Sequence, residues 1–416
     1  MKAFLSAIFS VLLIASACSQ EKEDEAPIEA NLRALAHYET ALAESSSRFA
    51  IDLFHQLNQA EEPNQFYSPY SIHQALSMTM NGNRGDVLDE FRALLRFEGL
   101  SLEEANRGAK ELTDFLLQLD AKVNLKIANG IWYKKGYDVK VPFRETAQQY
   151  YGAEIAPLDM LDPNSVHVIN KWIEQRTNNL IKEMLDEIPS NAVMYLVNAI
   201  YYKADWKYQF VASKTKKQPF YPSPGRTVQV DMMDLEKAAT FKTYTDSDVV
   251  YLEIPYSTGQ YTMGVLFNWD GELNRAAEKL TFDNLEKWKA NSRESNLILK
   301  MPKFKLRQKM DNMSTDLQEM GLKQPFYFHP ENFTALFSNP TDELKISRVI
   351  HDAFIEVDEK GSEAAAATVV EVVERLSSGP SAPQELILDK PFIFFIQEAH
   401  SGAIVFMGKL GDPSLL

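Results

Sequence analysis

The chain of 416 residues is poor in several residue types on which common classes of protein depend. It has one cysteine, Cys18, so no disulfide can form within the chain and a disulfide-stapled fold is excluded. Its 17 glycines form no phosphate-binding loop motif, and its seven histidines include no His-Glu-x-x-His pair for zinc. A Gly-x-Ser-x-Gly nucleophile motif is also missing. We therefore expect no enzyme, no catalytic residues, no metal and no cofactor.

Positive charge and long apolar runs are also scarce. The formal net charge is −15, which argues against nucleic acid and anionic membrane surfaces as partners. The apolar stretch from Phe4 to Ile14 is too short to span a bilayer. This apolar stretch comes shortly after the positively charged Lys2 at the start of the chain, which indicates a signal peptide over residues 1–17.

The sequence Ala-Ser-Ala-Cys at positions 15–18 fits two kinds of export signal. An ordinary signal peptidase would cut after Ala17. In a bacterial lipoprotein, Cys18 would carry the lipid and become the first residue of the mature chain. The lone cysteine lies where lipidation requires it, so we favour a lipoprotein of the outer membrane or cell surface, held to the membrane by its lipid anchor only. A secreted or periplasmic protein is the alternative.

The rest of the chain has the pattern of one α+β domain. Residues 18–43, which begin CSQEKEDEAP, predict an acidic solvated tether that runs into a helix. Helical patterns dominate to about Leu119, and strand-like runs follow after Lys122. Because no further linker or internal repeat is present, we expect a single domain over residues 44–416 and a monomer.

The most informative segment is VDEKGSEAAAATVVEVVERL, residues 357–376. In an extended chain alternate side chains face opposite sides. Here the face that begins at Ser362 is small or apolar and uncharged down to Val372, whereas the other face carries Glu363 and Glu371. Four alanines make its first half a poor strand former. The pattern favours a strand that forms conditionally.

This segment resembles the hinge and reactive-centre loop of the serpins, the serine protease inhibitor family. Seven blocks resemble the family in its own order: residues 66–86, 128–155, 169–185, 196–210, 301–306, 345–368, which overlaps this segment, and 389–413. The resemblance implies an α+β fold with a large central mixed β-sheet, smaller sheets and a helical cluster. It also implies an exposed reactive-centre loop over about residues 359–388.

The resemblance implies that the protein is an irreversible suicide inhibitor. A target protease would attack a bait bond, and the cleaved loop would then insert into the main sheet and trap the acyl-enzyme. Gly361 would provide a flexible pivot, and small side chains would allow insertion without burial of a charge. The hinge residues implied are Glu359, Lys360, Gly361, Ser362, Ala364 and Ala366.

Counting seventeen residues from Glu359 along the family pattern places the bait at Arg375, with Arg375–Leu376 as the bond that is cut. Arginine suits trypsin-like serine proteases, and Arg-specific cysteine proteases fit equally well. The stretch before residue 389 is longer than the family pattern, so bonds after Val372 or Val373 are alternative baits for elastase-like enzymes.

The resemblance also assigns two groups of residues with mechanical roles. A polar "shutter" lies where the main sheet parts, and a tryptophan marks the "breach" where the loop begins to enter. The residues implied are Ser68, Ser71, Asn198 and His351 for the shutter and Trp206 for the breach. The alternatives are a non-inhibitory serpin that is cleaved as a substrate, a binding lipoprotein, and a hydrolase.

Overall fold

The computed structural model describes residues 29–189, 192–338, 344–362 and 384–416. The predicted signal peptide, Cys18, the hinge residues Ala364 and Ala366, and the bait bond Arg375–Leu376 lie outside the described residues.

The helices of the described chain are numbered in chain order. They are α1 His37–Asn58, α2 Pro69–Met80, α3 Gly85–Leu94, α4 Leu102–Gln118, α5 Val141–Tyr151, α6 Ser165–Arg176, α7 Leu273–Lys279, α8 Phe282–Asn291 and α9 Ser314–Glu319.

The strands are numbered in the same way. They are β1 Asn64–Tyr67, β2 Asn124–Lys134, β3 Glu154–Leu158, β4 Met194–Asp205, β5 Lys216–Ser223, β6 Arg226–Asp234, β7 Ala239–Thr245, β8 Val250–Pro255, β9 Tyr261–Phe267, β10 Arg293–Pro302, β11 Phe304–Met310, β12 His351–Val357, β13 Gly361–Ser362, β14 Gln384–Ile387, β15 Phe392–Glu398 and β16 Ile404–Leu410.

Local sequence explains where several helices begin and end. The Ser68 hydroxyl accepts a hydrogen bond from the Ser71 backbone N–H, and Pro69 occupies the first helical position of α2. Ser101 and Glu104 form a capping box at the start of α4. Helix α5 ends at Gly152 in the left-handed conformation, with φ of 58°.

The first helix begins before the predicted domain boundary. Helix α1 starts at His37, and Tyr38, Leu42 and Ala43 are buried in the main core. The packed domain therefore begins before residue 44, and the solvated part of the predicted tether is shorter than 18–43.

Two sheets carry the fold. The six-stranded sheet has the order β11-β12-β13-β4-β2-β3 and is mixed, because β2 and β3 run parallel. The ten-stranded sheet follows the order β1-β16-β15-β9-β8-β7-β10-β6-β5, and β14 pairs with β10. The architecture is the α+β arrangement predicted, although the mixed sheet that holds the hinge is the smaller of the two.

The main hydrophobic core lies between these sheets and the helices α1, α2 and α4. A second cluster lies between α6 and the outer face of β2 and β4, and it includes Trp132, Trp172 and Val197. Within the described ranges, none of the helices combines the length and the apolar character that a membrane crossing needs.

Both ends of the predicted loop of about 359–388 overlap with described strands. At one end Gly361 and Ser362 are already paired in the six-stranded sheet. At the other end Gln384–Ile387 forms β14, and Leu388 is buried. Residues 363–383, between these two strands, lie outside the described residues.

Candidate functional site: a slot in the six-stranded sheet

The sheet is divided between β4 and β12. Both strands run antiparallel to the two-residue strand β13, so they run parallel to each other. Among the described residues no pairing joins β4 directly to β12. We call the gap between these two strands the slot. It has β13 at its mouth.

The hinge enters the slot in a fixed register. Gly361 lies opposite Asp205 and Ser362 opposite Ala204 on β4, while Ser362 lies opposite Val357 on β12. The Ser362 side chain is 1% exposed, and its hydroxyl is hydrogen-bonded to the Tyr256 hydroxyl at 2.8 Å. Its small size and satisfied hydroxyl let it occupy this buried position at little cost.

Gly361 is required here for space. A Cβ atom at this position would lie 2.1 Å from the carbonyl oxygen of Ala204 and 2.6 Å from the Cα of Asp205. Both contacts are with backbone, which cannot move aside as a flexible side chain could. The sequence analysis assigned Gly361 to a flexible pivot, and the structure adds a close approach to β4 that also requires glycine.

The turn between β12 and β13 is held by its own side chains. Asp358 accepts hydrogen bonds from the backbone N–H groups of Lys360 (2.9 Å) and Gly361 (3.2 Å). Glu359 accepts from the Lys303 ammonium and the Thr215 hydroxyl, both at 2.7 Å. Burial alone would raise the pKa of Glu359, but these partners outweigh it and hold the pKa below its usual value.

Trp206, which the family resemblance assigned to the breach, contacts the hinge turn at the slot mouth. Its backbone N–H donates to the Lys360 carbonyl at 2.6 Å, and its indole Nε1–H donates to the Asp358 carbonyl at 2.9 Å. The indole stacks on Tyr256 with a centroid separation of 4.2 Å. Trp206 therefore fastens the hinge turn to β4 and also packs beneath Ser362 through Tyr256.

The four predicted shutter residues come together in the structure. The Ser68 backbone N–H donates to Nε2 of His351 at 3.0 Å, and the Ser68 hydroxyl accepts from the Ser71 N–H at 3.2 Å. The Ser71 hydroxyl donates to the Asn198 side-chain oxygen. Since Asn198 is on β4 and His351 on β12, the N-terminus of α2 links both walls of the slot.

His351 is neutral in this site. Its side chain is buried, and burial lowers its pKa from 6.5 to about 4 because an apolar surrounding disfavours the charged ring. The neutral ring can accept the Ser68 hydrogen bond through Nε2, which a doubly protonated ring could not.

The polar cluster extends further than the sequence analysis predicted. The Asn198 amide donates to the side-chain oxygen of Asn129 at 2.6 Å, and Asn129 donates to the Tyr151 carbonyl at 2.8 Å. The Tyr151 hydroxyl donates to Asn106, which pairs with Asn81. The only sequence signal for Asn129 was an asparagine within the apolar run LKIANGIWY of β2.

A cavity lies at the deep end of the slot, beside the shutter. Its walls include Met194 and Leu196 of β4 and Leu76 of α2, together with the polar side chains of Asn198 and His351. The slot thus has a polar site at mid-depth and an apolar site below it.

The geometry agrees with comparisons to known proteins. A sequence model of the family described as "Serpin (serine protease inhibitor)" matches residues 44–413. The chain is 33% identical to Serpin B4 of Homo sapiens over 397 residues, which is 90% of this chain and 100% of the relative. It is 32% identical to the leukocyte elastase inhibitor of Bos taurus over 395 residues, with coverage of 89% and 99%.

A solved structure supports the same conclusion. The crystal structure of Serpin48, described as a highly specific serpin in the insect Tenebrio molitor, matches with a TM-score of 0.79 at 28% identity. It covers 91% of this chain and 100% of that chain. The slot, the hinge strand and these full-length matches show that this chain belongs to the serpin family, whose members are mostly protease inhibitors.

Proposed function

We propose that this serpin is an irreversible suicide inhibitor of serine endopeptidases, with Arg-specific cysteine proteases as a further target class. The observation that carries the proposal is the position of β13. It starts a new strand antiparallel to both walls of the slot, and from Ser362 to Val372 the loop has only small or apolar side chains on the same face.

The register supports continued insertion. If this register continues along β4 and along β12, Thr368 comes level with both Asn198 and His351, so the one hydroxyl on this face between Ala364 and Val372 would meet the shutter. Val370 and Val372 then fall level with Leu196 and Met194, which line the apolar cavity. Polar and apolar loop residues thus match polar and apolar parts of the slot.

In the proposed reaction the target enzyme's own nucleophile attacks the carbonyl carbon of Arg375. The bond to the Leu376 nitrogen breaks, and the enzyme becomes acylated by Arg375. Insertion of the freed hinge then pulls on the acylated protease and distorts its active site, including the oxyanion hole. Loss of even one oxyanion-hole donor slows such reactions by about 10²–10³, which leaves deacylation too slow to release the enzyme.

The location is also proposed. We infer that the chain is exported and lipidated at Cys18, which would make it a membrane-anchored lipoprotein of the cell envelope. The described chain begins next to the slot mouth, since the Asn31 N–H donates to the Leu119 carbonyl at 2.7 Å. Asp120, the residue after Leu119, accepts a hydrogen bond from the Thr258 hydroxyl. The preceding residue, Ser257, donates its backbone N–H to the carbonyl of Asp205, which lies opposite the hinge. A tether would therefore leave the domain at the end that carries the hinge.

The test is to mix the protein with trypsin and separate the products under denaturing conditions. A covalent inhibitor gives a band at the summed mass of the two proteins, and mass spectrometry of that band identifies the cut bond. Complete cleavage of the serpin without this band would show a non-inhibitory substrate and would overturn the proposal.

A further inference from the structure

The segment that follows α6 crosses the slot. We call residues 177–189 the cover. Its residues Thr177 and Ile181 line a cavity whose other walls are Ile200 to Tyr202 of β4 and Phe354 to Glu356 of β12. The cover therefore contacts both walls, and separation of the walls must disturb it.

On the β4 side the cover is held by buried, uncharged contacts. The side chain of Asn170 on α6 donates to the Leu185 carbonyl at 2.7 Å and accepts from the Leu185 N–H at 2.8 Å. Met184 and Leu185 are packed in the cluster that includes Val197 and Ala199 of β4. Removal of these contacts would leave buried polar groups unpaired, so the cover stays with β4.

On the β12 side the cover is held by exposed ion pairs. Asp186 contacts the Lys309 ammonium at 2.8 Å, and Glu187 contacts the Arg348 guanidinium at 3.3 Å. The two carboxylate side chains are 76% and 72% exposed. Pairs of this kind are weak and are screened by salt, so they can break and re-form.

Of the two groups that these carboxylates contact, Lys309 belongs to the other wall, and Arg348 lies three residues before β12 in the chain. Lys309 is on β11, which is joined to β12 along its whole length from Phe304 opposite Val357 to Met310 opposite His351. The Arg307 guanidinium also binds Asp352 of β12 through two hydrogen bonds. Strands β11 and β12 therefore move together when the slot opens.

We propose that the Asp186–Lys309 and Glu187–Arg348 pairs form a clasp that spans the slot and limits how fast it opens. The cover moves with β4, and its ion-pair partners move with β11 and β12, so widening of the slot separates both pairs. This inference rests on the proposed inhibitory function. The clasp gives that function a rate control, because trapping succeeds only when insertion is faster than deacylation.

The experiment measures slot opening without a protease. A synthetic peptide with the sequence of residues 362–375 is incubated with the full-length protein, and its annealing is followed by native gel and by the rise in melting temperature. We expect Lys309→Gln combined with Arg348→Gln to anneal about five times faster at low salt, the scale that two weak surface pairs allow. The difference should shrink towards none at about 1 M salt.

Two controls separate the clasp from a general effect of charge. Lys305 on the same strand pairs with Glu356 of β12 at 2.7 Å on one side of the slot only, so Lys305→Gln should leave the annealing rate unchanged. Asp186→Asn combined with Glu187→Gln breaks the same clasp with the opposite change in net charge, and it should reproduce the faster rate.

The outcomes are distinguishable. Equal annealing rates for wild type and both clasp variants would overturn the clasp while leaving the inhibitory function in place. An equal acceleration in Lys305→Gln would overturn it too, because the effect would then be one of charge alone. Failure of the peptide to anneal to any of the proteins would overturn the proposed function together with the clasp.

Discussion

At the scale of single residues, the hinge depends on contacts that tolerate very little extra volume. Gly361 passes within contact distance of the β4 backbone, and Ser362 fills a position that is 1% exposed. Both residues were singled out from the sequence, but the reason for the glycine became clear only from the strand pairing.

Gly361→Ala should expel the hinge from the slot mouth. The added Cβ would lie 2.1 Å from the Ala204 carbonyl oxygen, which cannot shift without breaking the β4 ladder. The Trp206 amide, which donates to Lys360, would then lose its partner. We expect faster hydrogen exchange at Trp206 in the variant, with little change in Lys360→Ala as the control. Unchanged exchange would mean that the hinge tolerates the methyl group.

Arg375→Ala tests the bait residue. If Arg375–Leu376 is the bond attacked, the variant should lose most activity against trypsin-like enzymes, because alanine cannot reach an acidic specificity pocket. Its melting temperature should stay at the wild-type value. The measurement is the second-order inhibition rate with trypsin. Retention of the wild-type rate would place the bait at another bond, and activity against elastase would then point to Val372 or Val373.

At the scale of elements, the shutter joins α2, β4 and β12 through buried polar groups. Such a junction is strong while every partner is satisfied and weak once one is lost. His351 is the member of the shutter whose side chain is ionisable. The folded protein holds its pKa at about 4, against 6.5 for the free side chain.

Stability should therefore fall on acidification. Between pH 6.5 and about 4 the unfolded chain binds a proton at His351 that the folded chain does not, so protonation favours unfolding. Where the unfolded chain binds one proton more than the folded chain, the free energy of unfolding falls by about 1.4 kcal/mol for each pH unit of acidification. The buried His73, whose pKa is also lowered to about 4, acts in the same direction.

The contribution of His351 can be isolated with His351→Gln, which keeps an acceptor for the Ser68 N–H. Melting temperatures at pH 7, 6 and 5 should fall less steeply for the variant than for wild type, and the remaining slope belongs to His73 and the carboxyl groups. Identical slopes for the two proteins would contradict a neutral buried imidazole at position 351.

The sequence predicted some elements far better than others. Apolar runs such as YTMGVLF and PFIFFIQE form β9 and β15 because both faces of these strands are buried. The hairpin of β5 and β6 went unpredicted, since the two lysines and two prolines of β5 are typical of a loop. Edge strands carry such residues to discourage further pairing.

The residues of the candidate site also differ in whether the sequence predicted them. Its named residues followed from family resemblance, whereas Asn129 and Tyr256 emerged only when the strands were paired in space. Long-range partners of this kind leave no local pattern, because each is one polar or aromatic residue in an ordinary strand.

At the scale of the whole molecule, the first question is attachment. If Cys18 carries a lipid, Cys18→Ser should move the protein from the membrane fraction to the soluble fraction, because a thioether-linked diacylglycerol and the acyl chain of the new N-terminus would both be lost. Metabolic labelling with a fatty acid checks this directly. An unlabelled wild-type protein would contradict lipidation and leave ordinary secretion.

The second whole-molecule prediction is that the uncut fold stores energy. The described hinge strand β13 covers Gly361 and Ser362, whereas the slot continues past the shutter. Full insertion would give β4 and β12 a strand partner along their length, with backbone bonds on both sides. A fold that gains this additional strand only after cleavage is held short of its most stable state. Cleavage after Arg375 should therefore raise the melting temperature by tens of degrees, far beyond the effect of one or two hydrogen bonds.

Ser362→Arg should abolish that rise. The guanidinium would have to enter a site that is 1% exposed, against Tyr256 and with no carboxylate partner, so insertion would bury an uncompensated charge. Ser362→Thr, which keeps the hydroxyl and a small volume, is the matched control and should behave as wild type. Calorimetry of intact and cleaved protein for all three decides the point. The Arg variant should be cut by trypsin as a simple substrate and melt at the same temperature before and after. Equal melting temperatures for intact and cleaved wild type would refute insertion and leave the slot without its proposed use.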